Sequence, residues 1–279
     1  MARYLSDIRA SVRDTLRDEF EEGVDLEWEE DELDRLIRIT LDEIEQKMPY
    51  EVKAKAFDAL STVATELSAS ATTLVVASDD DFSTTYNFYI TIEDEVLKVT
   101  ALASADNFTV TRAQKNTTAA VHAVGKDVGL SIMTSVDSKE IDITNIADLI
   151  RVYKCEYRID TPSLNPKQFR DFTQFADTLT MDISFRPVAS EEVHLYLHKK
   201  HTLTDATSTL RDDHETVLIQ GVAARAAMNK GREQLNALNV GGVNVGPRMV
   251  EWGREQLGLY RLALKHHAGK NPYENLPKD

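Results

Sequence analysis

Cysteine is almost absent: Cys155 stands alone in 279 residues. No disulfide can form within the chain, which fits a reducing compartment. Long apolar runs are missing too. None approaches the roughly 20 residues that a membrane helix needs, so no membrane partner is expected. The opening MARYLSDIRASVRD is charged and amphipathic, unlike a signal peptide. Basic residues are in deficit, with 32 Lys and Arg against 47 Asp and Glu, for a net charge of −15. That balance argues against gripping nucleic acid by its phosphates, which takes clustered Lys and Arg. It is compatible with DNA sliding past without adhering.

Several motifs of catalysis are also lacking: there is no GxSxG, HExxH or CxxC. The glycine-rich GGVNVG at 241–246 lacks a Gly-Lys-Ser/Thr and does not follow a strand of a βαβ unit, so it reads as a hinge. SDDD at 78–81 has neither the glycine nor the distal glutamate of an EF-hand and reads as a solvated turn. Asn116-Thr117-Thr118 matches a glycosylation acceptor, a match of little meaning without a secretory signal. Cys155 sits in a strand pattern as a small hydrophobe. The acids at 27 and 29–32 suit a helix N-terminus.

What is present is a 42% hydrophobic chain with a core to bury. Residues 4–20 predict a helix on Leu5, Ile8, Val12 and Leu16, capped by Ser6 or Asp7. A second helix, about 31–48, carries Leu33, Leu36, Ile37, Leu41, Ile44 and Met48 on one stripe and ends at Pro49, with Trp28 packing on it. From about 66 to 132 short alternating runs separated by turns predict four to six antiparallel strands. Strand texture continues in IADLIRVYKCEYRI, DTLTMDISFRP and EEVHLYLHKKH, with PSLNPKQFRDF as a loop entering a helical turn. Residues 211–236 return to helix, and RMVEWGREQLGLYRLALKHHAG is a last helix with Met249, Trp252, Leu257, Tyr260 and Leu264 inward.

Two groupings invite a chemical reading. EEVHLYLHKKHTL holds His194, His198 and His201, with His214 beyond. Helical spacing would stack the first three as metal ligands. Yet Val193, Leu195 and Leu197 alternate with His194, Tyr196 and His198, which is a strand, apolar face inward and polar face outward. At roughly 3.3 Å per residue His194 and His198 lie about 13 Å apart, too far for one metal with bonds near 2 Å. These histidines are therefore expected at the surface or a subunit contact. In VTRAQKNTTAAVHAVGKDVGL, Arg112 and His122 suggest a catalytic pair, but Thr118 and His122 fixing a loop turned by Gly125 is the favoured reading. The chain is read as no enzyme, with no metal and no cofactor.

Three stretches together resemble the tailed-bacteriophage head–tail connector (adaptor or neck) proteins. They are WEEDELDRLIRITLDEI, the β-module IEDEVLKVTALASADNFTVTRAQKNTTAAVHAVGKDV, and EEVHLYLHKKHTLTDATSTLRDDHETVLIQGVAARAA. The resemblance is one of pattern and order over most of the chain. Connectors of this kind are smaller and mostly helical, without such a β insertion. The resemblance implies an α+β fold. A connector core, 1–50 plus 135–279, would comprise the N- and C-terminal helices with a small antiparallel sheet, and 51–134 would be an inserted antiparallel β-domain. It implies a virion neck protein, made in the host bacterial cytoplasm, that forms a homo-oligomeric ring of about twelve copies. The ring would sit beneath the portal protein, let DNA through its channel without sequence-specific binding, and hold a tail or stopper/tail-terminator protein. Residues 248–279 would dock on the portal, with Arg248, Trp252, Tyr260 and Tyr273 at the interface. The competing class is a tail-completion or baseplate protein whose β-domain binds a partner or host glycan.

Overall fold

The computed structural model describes residues 4–17, 28–134, 139–159, 167–236 and 245–268. Among them are four helices and thirteen strands in three antiparallel sheets, an α+β arrangement that is mostly sheet. The chain divides into two compact units, residues 1–50 with 199–279, and residues 51–198.

The first unit is helical. Helix α1 (Leu5–Leu16) buries Ile8 and Val12, and α2 (Glu30–Glu45) buries Leu33, Leu36, Ile37 and Ile44. The apolar spacing of three and four puts these residues on one face of each helix. The helix begins before either expected cap: Tyr4 is its N-cap residue, and Asp7, in the first turn, accepts the Tyr4 amide through its carboxylate (2.9 Å). Arg9 ties the helices together through Asp34 (2.6 Å). Helix α3 (Asp212–Asn236) is buried on several sides, because α1, α2 and α4 (Val245–Ala268) all pack on it. Ala223, Ala224, Ala226 and Ala227 let the neighbours approach closely. Trp28 is buried in this core, its indole N–H donating to the Ala226 carbonyl of α3 (3.3 Å). The hinge expected at 241–246 falls mostly outside the described residues, and α4 already begins at Val245.

The second unit is all strand. Along the chain come β1 (Tyr50–Ala54), β2 (Ala56–Thr62), β3 (Thr73–Val75), β4 (Phe88–Ile92), β5 (Glu95–Ser104) and β6 (Asn107–Gln114). Next are β7 (Asp127–Ser131), β8 (Glu140–Asp142), β9 (Leu149–Tyr157) and β10 (Phe169–Arg170). Last are β11 (Phe172–Phe175), β12 (Thr178–Met181) and β13 (Val193–Lys199). The sheet orders are β2-β7-β4-β5-β6-β3, β1-β13-β9-β10 and β11-β12-β8. SDDD is indeed a turn, cross-linked by Asp79 and Asp106, each of whose amides is bound by the other's carboxylate.

Two expectations need correcting. The strands after 139 do not group with the helices as a connector core. Their hydrophobic cluster, with Val152, Cys155, Leu195 and Leu197, also takes in Ile132 and packs against Ala54 and Phe57, so burial joins them to the 51–134 segment. PSLNPKQFRDF lies outside the described residues up to 166, but Phe169–Arg170 and Phe172–Phe175 are strands, not a helical turn. Phe169 pairs with Glu156 across β9, and long-range pairing overrides the local loop signal.

In α3, Gly221 sits where α2 and α4 cross. A Cβ there would lie 2.7 Å from both the Thr40 methyl and the Tyr260 ring, whereas at Gly258 on α4 it would meet nothing within 4 Å. Gly221→Ala should therefore destabilise the helical unit by about 1–3 kcal/mol through overpacking. Gly258→Ala should stabilise it by up to about 1 kcal/mol through helix propensity. Urea denaturation of the two variants checks both signs, and a stabilised Gly221→Ala would refute the close crossing.

Candidate functional site

Three polar constellations are built into these frames. The first lies in the six-stranded sheet. Between Lys98↔Thr111 and Val96↔Gln114 the β6 strand carries an extra residue, a bulge at Arg112 and Ala113, with Ala113 at φ 52. The bulge turns the Arg112 guanidinium onto Glu95 in a bidentate pair (2.8 and 2.7 Å) and brings the Ala113 amide to the same carboxylate (3.0 Å). Arg112 also donates to the carbonyls of Ser68, Ala71 and Ala120, so all five of its N–H groups are used. Glu95, 1% exposed, further accepts the Ala120 amide (3.0 Å) and His122 Nε2 (2.9 Å). His122 Nδ1 faces Glu93 (2.9 Å), which is also paired to Lys126 (2.7 Å).

Burial alone would push the Glu95 carboxyl up, but Arg112, the two amides and His122 outweigh it and hold it at about 2. Arg112 and His122 thus meet, but around a carboxylate whose partners use up its oxygens, which is a loop-fixing arrangement. The hydroxyl that serves the loop is Thr117, bound by the Val96 amide, rather than Thr118. Gly125, at φ +83, does supply the turn. Sequence reasoning missed Glu95, whose only local signal is an acid on the alternating face of a hairpin.

The second constellation is the polar face of the four-stranded sheet. Val193, Leu195 and Leu197 enter the core as the alternation requires, but His194 and His198 are also buried, 6% and 2% exposed. The expectation of surface histidines is corrected: side chains of neighbouring strands cover this face. His194 lies between Glu192 (3.0 Å) and Glu156 (3.4 Å), and Glu156 accepts the Tyr196 hydroxyl (2.8 Å). Burial raises Glu156, yet Tyr196, Lys53 and His194 together bring it below the ordinary carboxylate range. The Tyr153 ring lies 4.3 Å from that of His198, and Arg151 donates to His198 Nδ1 (3.1 Å). Desolvation, reinforced by the Arg151 charge, lowers His198 to about 4. Cys155, on the opposite face, is pushed by burial up to about 12, so its thiol stays protonated.

The third lies in the helical unit. His201 donates Nε2 to the Met48 carbonyl (2.9 Å), and its amide reaches Glu45 (2.8 Å). His214 is buried 5.5 Å from the His201 ring, and desolvation, against the pull of Asp213, lowers it to about 4. The histidines of EEVHLYLHKKHTL thus divide between the two units. Among the described residues no three His, Cys, Asp or Glu side chains converge as metal ligands.

Of the expected interface residues, Arg248 is exposed and Trp252 half-buried against the helical core. Tyr260 is a correction: its ring is fully buried, and its hydroxyl donates to Glu43 (3.2 Å) at the α2 crossing. A ring already enclosed by its own chain presents nothing to a partner. Tyr273 lies outside the described residues. No protein-family model matches the chain, and no curated protein matches it in sequence.

These environments set a pH profile. A buried neutral histidine contributes fully above its ordinary 6.5 and loses that contribution as pH falls through about 4, as for His198 and His214. Glu95 contributes fully above its ordinary 4.5 and loses it as pH falls toward about 2. Thermal melting followed against pH should show stability falling in both windows, and Glu95→Gln should reduce the fall in the lower one, to which Glu156 also contributes. Arg112→Ala leaves a buried carboxylate without its cation and should cost about 3–5 kcal/mol in urea denaturation. A neutral outcome would mean that the cluster holds nothing.

Proposed function

We propose that this chain is a structural virion protein of a tailed phage, a head–tail connector whose copies form a ring beneath the portal, extend the DNA channel and receive the tail. The observation that carries this reading is the outward side of α4. Leu259 and Leu262 are 51% and 64% exposed, three residues apart on a helix whose other side is locked into the core by Val250, Tyr260 and Leu264. A rigid helix presenting apolar groups to solvent is a surface that assembly covers. The charge supports the same reading. About twelve chains in a closed ring, each at −15, make an acidic assembly. Acids facing the bore repel phosphate within a Debye length of about 8 Å. The reading includes no catalytic role, no metal and no cofactor, and it places the protein in the virion neck. No helix among the described residues is long and apolar enough to cross a membrane.

Within 248–279 the docking role falls on residues that the helical core does not use, because α4 packs into that core through Tyr260 and Leu264. The portal-facing elements are the exposed residues of α4, including Arg248, and the segment beyond 268.

One observation favours the alternative, a tail-completion or baseplate protein that binds through its β-domain. Val121 and Val124 are 56% and 62% exposed in the loop that the Glu95 cluster pins from beneath. A rigid apolar loop binds without a large ordering penalty.

Native mass spectrometry and cryo-microscopy of the chain with its portal protein decide between the readings. A ring of about twelve copies with more acids than bases on its bore is expected. Leu259→Glu with Leu262→Glu should abolish assembly while leaving the melting temperature nearly unchanged. A trimer or hexamer favours the tail or baseplate reading, and a basic bore sinks the charge argument.

A further inference from the structure

We propose that the four-stranded sheet binds a single strand of nucleic acid on its aromatic face, an inference that does not rest on the connector reading. Three rings from three adjacent strands meet there. Tyr196 of β13 lies 6.1 Å from Tyr153 of β9 and 5.7 Å from Phe169 of β10, both edge-on. Phe169 is 45% exposed on the outermost strand. The strand pairing places Phe169 opposite Glu156, on the same face as Tyr196. Core residues Val152 and Cys155 are three apart, so the alternation of β9 slips once and leaves both Tyr153 and Lys154 off the core.

Cations frame the rings. The ammonium groups of Lys53 and Lys167 stand 5.8 and 5.9 Å from the Tyr196 centroid, and that of Lys154 stands 5.1 Å from the Phe169 centroid. Two acids of this face are turned inward. Glu156 and Glu192 are buried on Tyr196 and His194, and Glu156 also pairs with the Lys53 ammonium (3.8 Å), while Lys167 donates to the Tyr196 hydroxyl (3.3 Å). Glu51 is the partly exposed exception, 3.7 Å from His198. The solvent side therefore offers the exposed Phe169 ring beside the half-buried Tyr153 and Tyr196, with ammonium groups among them, in a chain whose overall charge is strongly negative.

That chemistry fits a polymer alternating flat bases with phosphates. Bases stack on aromatic rings with little regard to sequence, while lysines take the phosphodiester oxygens. A duplex keeps its bases stacked inside and offers only the second contact. The whole-chain charge repels any polyanion at a distance, a repulsion that salt screens, so the weakening of binding by salt reports the counterions released at the lysine contacts.

Fluorescence anisotropy of the full chain with a labelled oligo-dT, a duplex of equal length and heparin tests the idea at low salt. Oligo-dT should bind more tightly than the other two. Its affinity should fall with salt at a log–log slope of about −2 for three lysine contacts on a single strand. Phe169→Ala should weaken oligo-dT by about tenfold to a hundredfold without changing that slope, and Phe169→Trp should restore binding. Lys154→Gln with Lys167→Gln should flatten the slope. Phe169 lies on the edge strand β10, Lys154 on its neighbour β9 and Lys167 just before β10, and circular dichroism checks that the variants fold. Absence of oligo-dT binding, equal or tighter binding of duplex or heparin, or indifference to Phe169→Ala would each overturn the proposal.

Discussion

A carboxylate inside a sheet must find donors for both its oxygens, and the β-unit is arranged around that requirement at Glu95. Left alone, the group would stay protonated or drive the strand outward. Arg112 meets it only because β6 bulges at Ala113, which adopts a left-handed backbone that alanine ordinarily avoids. The same carboxylate draws in Ala120 and His122, so the loop to Gly125 is held although its outer surface carries alanines and valines rather than a core of its own. Local strain, ion pairing and an exposed apolar loop are therefore one arrangement. Replacing such a cluster by apolar groups is often neutral for stability, so its use here is to specify the path of the loop.

The helical unit obeys the same rule with weaker groups. At the crossing of α2, α3 and α4, Arg225 donates to Glu43 and lies 5.1 Å from the Tyr260 ring, while Gly221 leaves room for both helices. Nearby, His201 and His214 are enclosed as neutral rings, which makes this unit sensitive to acid in a window above that of Glu95. Cores of both units combine close packing with polar groups that have definite partners, a combination that yields rigid bodies with distinct outer surfaces.

Those outer surfaces differ in chemistry. Helix α4 shows leucines, the loop of the six-stranded sheet shows small apolar residues without charge, and the four-stranded sheet shows rings and lysines. The acidity sets the field around the whole chain, whereas each surface acts at contact distance.

Much of this was legible from residue order. The stripes of α1 and α2, the alternation of β13 and the turn at 78–81 follow from periods and turn chemistry that operate over a few residues. The sequence did not disclose that Arg112 and His122 share Glu95, since the partners are 17 and 27 residues away and meet only through a bulge. Nor did it disclose that the polar face of β13 is covered, that Tyr260 is a core residue, or that the strands after 139 belong with those before 134. By itself the sequence determined which residues share a face where the backbone repeat runs unbroken, as in α1, α2 and β13, but not at the β6 bulge. Which faces are covered, and by what, was decided by tertiary structure alone, because burial depends on segments distant in the chain.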